Sequence, residues 1–472
     1  MKILVTGAAG YVGRRLVYRL LKETSHKLNL FVMNKNEVQF SESSRIKVFE
    51  GSTFDEKSLD SAMESVDCAY YLIHSMGVKG DFEELDKISA KNFRESCIKN
   101  NVKKVIYLGG LGLSSNSSPH LKSRIETGEI LSDNSKKYLT IWFRAGIIIG
   151  SGSASFEILK NLSQKLPVLI TPKWVETKTE PIFINDVVSY LIKAVDLDSY
   201  DNCIVDIGSE IMSFREMIEK ASQIMGLKRI IVPVPFFTPK LSSYWLVFIT
   251  PVPLRIAAPL VEGLKHETIK QNSNAISYFP DISPVKFDDA IKKAIHEAEI
   301  NQVISRWSDG SCTPGVFCEP SSFAGASVFK IREKADFKNI SPEKIFKSMK
   351  KAGGKRGWYR YHFLWSVRGA IDKISGGYGL GRGRRDSKNL RIGDSIDFWK
   401  VVDLVENKRI LLFAEMKLPG KGWLEFLIDG NHAVVTAYFI PDGLFGRLYW
   451  VSMSFFHKLI FKDMVRSIVK HS

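Results

Sequence analysis

Two sets of residues in this 472-residue chain have types and spacing that could do chemistry: glycines 7, 10 and 13, and a histidine–arginine pair at 120 and 124. The glycines lie in Thr6-Gly-Ala-Ala-Gly-Tyr-Val-Gly13, directly after the apolar run Ile3-Leu4-Val5. Val12, Leu16, Leu20 and Leu21 then continue at helical spacing. A strand that turns through three glycines into a helix presents unpaired amides and the positive end of the helix dipole at one point. It also lets a diphosphate approach the backbone closely. His120 and Arg124 are four apart, on one face of a predicted helix. An imidazole titrates near pH 6.5, and a neighbouring guanidinium favours its neutral form, which can orient a carbonyl but donates a proton poorly.

The elements that must position these residues follow from periodicity. Strands are expected at Leu28–Met33, Ile46–Glu50, Cys68–Ile73, Lys103–Leu108 and Leu139–Ile149. Helices are expected near Lys57–Met63, Phe82–Lys99 and His120–Leu131. Strands alternating with helices at this spacing call for a Rossmann-like, doubly wound parallel sheet of the α/β class. Further helices at Asn185–Val195 and Ser213–Gly226, the second opening with a Ser213/Glu216 capping box, and a strand at Cys203–Gly208 belong to a small substrate lobe.

The end of strand two selects between dinucleotides, because an acid there would bind a ribose 2′-hydroxyl. Here the segment is Phe31-Val-Met-Asn-Lys-Asn36, with Arg14, Arg15 and Lys35 close by. No acid and available cations favour a 2′-phosphate, so the expected cofactor is NADP, with NAD left open. Asn34 and Lys35 join the candidate cofactor-binding residues.

The last third has a different texture. Ser341-Pro342-Glu343 starts a helix that Gly353-Gly354 ends. Short strands follow at Ser395–Val402, Arg409–Met416, Gly422–Ile428 and Ala433–Phe439, and then an amphipathic helix over Leu444–Val469. Helix, antiparallel meander and long helix suggest an α+β helix-grip cup. The expected division is a dinucleotide-binding domain with substrate lobe over 1–307, a linker over 308–328, and the cup over 329–472.

Net charge is +16, and residues 331–472 carry 27 Lys+Arg against 14 Asp+Glu. Such an excess suits anionic partners or a solvated basic face. The run Gly376-Gly-Tyr-Gly-Leu-Gly-Arg-Gly-Arg-Arg385 is too short for RNA binding of the arginine–glycine kind, which argues against nucleic acid. It reads as a mobile loop or an anionic head-group contact. The apolar stretch Tyr244–Val261 is broken by Pro251, Pro253, Arg255 and Pro259. It reads as a buried wall or lid, with peripheral membrane contact left open. Five scattered cysteines support neither a metal site nor a disulfide framework, and a start directly on a core strand leaves no room for a signal peptide; a cytoplasmic protein is expected.

The glycine turn, with Tyr70-Tyr-Leu-Ile-His-Ser-Met-Gly77, Tyr107-Leu-Gly-Gly-Leu-Gly112 and Phe143-Arg-Ala-Gly146, resembles the atypical short-chain dehydrogenase/reductases of the NmrA-like type. Gly150-Ser-Gly-Ser-Ala-Ser-Phe-Glu157, Ser242-Ser-Tyr-Trp245 and Arg306-Trp-Ser-Asp309 resemble a narrower group, in which such a domain is fused to an uncharacterised C-terminal domain. The resemblance implies cofactor contacts at Gly7, Gly10, Tyr11, Val12 and Gly13, and it places His74 on the nicotinamide side, where a packing or backbone role is expected of it rather than chemistry; Thr6, Arg14 and His74 join the candidate cofactor-binding residues. Ser52 stands where the family has an adenine-contacting Asp. The Tyr and Lys of active members are His120 and Arg124 here, and the upstream Ser is replaced by Gly109, Gly110 and Leu111, with Ser114 and Ser115 nearby. The C-terminal pattern looks like the START-like folds, which enclose an apolar cavity.

Three functions are therefore expected to compete. The first is an NAD(P)-dependent oxidoreductase acting on an apolar carbonyl, enone or quinone-like substrate, with His120 and Arg124 as candidate catalytic residues. The others are a non-enzymatic sensor of NADP(H) and a carrier of an apolar ligand in the last domain.

Overall fold

Leu4, Val5, Tyr70, Ile106, Phe143 and Val205 are fully buried. Strands apolar on both sides must be covered by helices on both faces. A computed structural model describes residues 1–38, 44–74, 82–112, 117–234, 249–250, 252–300, 303–309, 320, 327–386 and 389–472. The chain divides into two units, Met1–Cys312 and Thr313–Ser472.

In the first unit seven strands form one parallel sheet: β1 (Lys2–Thr6), β2 (Lys27–Val32), β3 (Ile46–Glu50), β4 (Cys68–Tyr71), β5 (Lys104–Gly110), β6 (Leu139–Ala145) and β7 (Cys203–Ile207). Their spatial order is β7-β6-β5-β4-β1-β2-β3. Helices α1 (Tyr11–Glu23), α2 (Glu56–Met63), α3 (Phe82–Lys99) and α4 (Pro119–Ser132) connect them. Ile3 and Val5 join the core on one face of the sheet, Leu4 the core on the other. The strand order reverses between β1 and β4. In such sheets ligands bind beyond the carboxyl ends at that reversal.

One expected strand, Leu139–Ile149, is two. β6 ends at Ala145, and Ile148–Ile149 pairs instead with Ile182–Phe183. The break falls at Gly146, where an added Cβ would sit 2.2 Å from the Glu180 carbonyl oxygen. The lobe contains α5 (Ala154–Lys165), α6 (Ile184–Lys193), α7 (Phe214–Ile224), α8 (Leu254–Gly263) and α9 (Phe287–Glu299). The Ser213/Glu216 capping box opens α7 as expected.

The second unit is an antiparallel sheet with helices. Its strands are β8 (Phe329–Asp336), β9 (Ser395–Ile396), β10 (Trp399–Val405), β11 (Arg409–Ala414), β12 (Gly420–Asp429) and β13 (His432–Pro441), in the order β8-β13-β12-β11-β10-β9. Asp429 pairs with His432, leaving Gly430-Asn431 as a two-residue hairpin loop with Gly430 at φ +55°. Helices α10 (Pro342–Lys350), α11 (His362–Ile374) and α12 (Gly443–Lys470) complete the unit. No helix among the described residues is long and apolar enough to cross a membrane.

The basic glycine run is not a loose loop. Arg382 is buried, lies 2.6 Å from Glu415 and stacks on Tyr378, while Arg385 pairs with Asp394 at 2.9 Å. Buried carboxylates, one nine and one thirty-three residues on, draw the arginines inward, so the expectation of a mobile loop or head-group contact is corrected.

Candidate functional site

The glycine turn brings three backbone segments into close approach. Gly7 has φ +65°, and a Cβ there would meet the Leu72 carbonyl oxygen at 2.6 Å. A Cβ on Gly13 would lie 2.2 Å from the Gly7 carbonyl oxygen, so helix and turn can approach this closely only without side chains. Helix α1 starts at Gly10 without a side-chain cap, leaving its first amides to a ligand. The Thr6 hydroxyl ties β1 to β4, donating to the Tyr70 carbonyl at 2.8 Å and accepting from the Leu72 amide at 3.2 Å.

The two arginines after the turn are committed elsewhere. Arg14 is buried, donates to the Glu37 carbonyl at 2.8 Å and faces Asp309 at 3.8 Å. Arg15 is buried against Glu297 at 2.6 Å and the Ser151 carbonyl at 2.9 Å. Their role as cations for a 2′-phosphate is corrected, because carboxylates nearly three hundred residues away hold them inside the fold. Lys35 remains exposed, but its amide donates to the Glu50 carboxylate at 3.1 Å, which brings an acid to the end of β2 that the β2 sequence lacks. Asn34 caps the short turn after β2 by accepting from the Asn36 amide, and the Ser52 hydroxyl accepts from the Phe54 amide at 3.3 Å.

Beyond β4 and β5 the two pocket histidines meet. His74 Nε2 lies 3.1 Å from His120 Nδ1, and His74 Nδ1 lies 3.2 Å from Asp86 Oδ2. The same Asp86 oxygen accepts from the Ser123 hydroxyl at 2.9 Å. His74 thus makes polar side-chain contacts in addition to the packing or backbone role expected of it. Asp86 was not singled out from the sequence. Its signal was an acid on the buried stripe of α3, in line with Ala90, Phe93 and Cys97. Arg124 is anchored by its bond to the Leu108 carbonyl and stacks over Tyr107. At Gly109 Trp142 fills the space a side chain would take: a Cβ there would lie 2.7 Å from its indole nitrogen. Ser114 and Ser115 lie outside the described residues.

Hydrogen bonding orders the protons along this chain. An ionised Asp86 accepts from His74 Nδ1–H, so His74 Nε2 must accept from His120 Nδ1–H, leaving a bare lone pair on His120 Nε2. Burial lowers the pKa of both rings, that of His120 well below its ordinary value, with His74 and Arg124 adding to the effect. Both imidazoles are therefore neutral at neutral pH.

His74, His120 and Arg124 line a cavity of about 260 Å³ together with Tyr11 and Val12 from the first turn of α1. The rest of its wall is mostly apolar, including Leu108, Leu111, Ile148 and, from α8, Pro259 and Leu260. Part of the Tyr244–Val261 stretch thus walls this cavity; residues 235–248 and 251 lie outside the described residues. One cavity joins the diphosphate turn to the histidine pair.

Residues 7–140 match the family model described as NAD(P)H-binding, and residues 324–464 match one described as a protein of unknown function (DUF2867). The chain is similar in fold to triphenylmethane reductase from Citrobacter sp., at 18% identity and TM-score 0.52 over 63% of this chain and 100% of that one. It is also similar to UDP-glucose 4-epimerase from Thermotoga maritima, at 15% identity and TM-score 0.51 over 64% of this chain and 100% of that one. Among curated proteins the comparison finds no match. The first unit is thus a Rossmann-like domain, and its residues 7–140 match a family of NAD(P)H-binding proteins.

Proposed function

We propose that the first unit is an NAD(P)-dependent oxidoreductase interconverting an apolar secondary alcohol and its ketone, with His120 managing the hydroxyl proton. The observation that carries this reading is the Asp86–His74–His120 chain ending in a cavity shared with the diphosphate turn. Gly7, Gly10 and Gly13 hold the diphosphate against the start of α1. A bound nicotinamide supplies the hydride acceptor or donor. His120 Nε2, neutral and without a hydrogen, accepts a hydrogen bond from the substrate hydroxyl and takes its proton as the carbonyl forms. His74 and Asp86 keep that ring in the accepting tautomer and share the resulting charge. In the reverse direction His120 must first be protonated, which its lowered pKa makes the harder direction at neutral pH.

Selection of NADP over NAD rests on Lys35 working against Glu50, since Arg14 and Arg15 are engaged. Lys35 favours a 2′-phosphate, and we read the cofactor as NADP with a modest margin. Titration with both reduced cofactors tests the margin. A panel of apolar secondary alcohols with either oxidised cofactor tests the reaction. Tight cofactor binding with no turnover of any alcohol, ketone, enone or quinone would favour the sensor reading instead.

The second unit supports a further reading, an apolar-ligand site in a helix-grip cup. A cavity of about 420 Å³ lies between α11, α12 and the sheet, walled by Trp365, Trp399, Phe439, Trp450, Ile460 and Phe461. Its size and lining suit one small apolar molecule. Native mass spectrometry of the whole chain reports such a ligand and the dinucleotide together.

A further inference from the structure

Helix α12 has two halves of opposite character. From Ile460 onward it is anchored: Ile460, Phe461, Met464, Val465 and Ile468 are buried in the core of the second unit. Before that it turns large apolar side chains outward. Phe445 is 81% exposed and Phe455 72%, and Leu444, Leu448, Val451 and Leu459 are exposed with them. An amphipathic helix was expected here, but over Gly443–Leu459 the solvent side is the apolar side. Helix α11 repeats the pattern, with Phe363, Val367, Ile371 and Ile374 all more than half exposed at helical spacing. Residues of both stripes, Val367, Ile371 and Phe456, also line the apolar cavity, so the two stripes border one opening.

Around these stripes cations outnumber acids, although the exposed Asp442 stands at the N-cap of α12. Gly443–Phe461 contains Arg447 and Lys458 and no acid. The one acid of α11, Asp372, is fully buried and accepts from the amides of Gly379 and Lys417. A concavity next to the stripes gathers Arg356, Arg360, Arg466, Lys470 and His471 around the single carboxylate of Asp463. Arg360 precedes Phe363 by one turn, and Arg466 follows Leu459 by seven residues, about 10 Å along the helix. An exposed apolar patch with a cationic border is what an anionic lipid surface complements: apolar side chains enter the acyl boundary while the cations meet headgroups. A second copy of the chain fits less well, because a two-fold contact through this face would bring like cations together.

We propose that the second unit docks on an anionic lipid bilayer through the outward face of α11 and the first four turns of α12, with Arg356, Arg360, Arg466 and Lys470 against the headgroups. The apolar cavity then opens toward the bilayer. This proposal does not depend on the oxidoreductase reading.

Co-sedimentation of the full chain with vesicles tests it. The chain should pellet with vesicles of equal parts phosphatidylcholine and phosphatidylglycerol, far less with phosphatidylcholine alone, and less again as salt rises. Phe445→Asp with Phe455→Asp should abolish binding, while Arg360→Gln and Arg466→Gln should each weaken it about fivefold. All four sites are exposed, so thermal unfolding and NAD(P)H binding should match the parent chain. Hydrogen exchange on the parent chain gives a second readout: amides of 443–459 should slow when mixed vesicles are added. No binding to either vesicle, or equal binding by the Asp variants, would overturn the proposal. So would a dimer that these variants split and that ignores vesicles, which would assign the face to a second copy.

Discussion

His120 in the first unit and His457 in the second are both imidazoles lining a cavity, and burial lowers the pKa of both. Their surroundings differ in one respect. His120 ends a hydrogen-bonded chain that begins at a buried carboxylate. His457 lies between the rings of Trp450 and Phe461, and its Nδ1 has no hydrogen-bond partner among the described residues. Burial makes either ring neutral, but only the chain decides which nitrogen carries the hydrogen. A proton can be directed at the first site and merely excluded at the second.

The widest separation between the two should come from deleting the rings. His120→Phe should lower kcat by about a thousandfold, the scale of a lost acid–base group, while NAD(P)H affinity stays put. His457→Phe should leave that kcat unchanged. Steady-state kinetics with fluorescence titration of the cofactor checks both halves. The pH profile adds a sign. A base with a lowered pKa stays unprotonated through neutral pH, so alcohol oxidation should fall only when the pH drops well below 6.5. A decline beginning at or above 6.5 would mean that His120 is not the titrating group.

Next in size is the anchor. Asp86→Asn removes the charge that fixes the His74 tautomer and should lower kcat about a hundredfold with little change in cofactor affinity. Ser123→Ala takes away only a second donor to the same oxygen and should cost less than tenfold. Equal losses from the two would mean that Asp86 acts through packing, and the contrast with His457 would weaken accordingly.

What the sequence disclosed follows the range of the interactions. The parallel sheet and glycine turn were legible because apolar strand runs and close backbone approaches are written in neighbouring residues. The Ser213 capping box was legible for the same reason. The Asp86–His74 contact was not, because it joins the end of β4 to the buried side of α3, and an isolated acid in a helix looks solvated. Arg14 and Arg15 misled in the opposite sense. Their partners Asp309 and Glu297 close onto α1 from the far end of the unit, and nothing near the arginines announces them. Arg382 repeats that lesson with Glu415, whereas Arg385 finds Asp394 only nine residues on. Long-range ion pairs turned cations that looked available into structural ones.

The smallest expected effect concerns stability and comes from the second site. Burial pushes the His457 pKa from 6.5 down to about 4, so the folded chain binds this proton less readily than the unfolded chain does. The group's contribution is intact above the unfolded value and is lost as pH falls from 6.5 toward 4. Between about pH 7 and about pH 5.5 that amounts to roughly 1 kcal/mol. Thermal unfolding of the full chain should therefore show the parent losing more stability than His457→Phe over this interval, by about that difference. His120→Phe should show the same sign, since burial dominates there too. If mixed vesicles or an apolar ligand fill the cavity beside His457, the ring becomes drier still and the parent's loss on acidification should steepen. An unchanged slope would mean that His457 reaches water through the cavity mouth and that burial is not what sets its pKa.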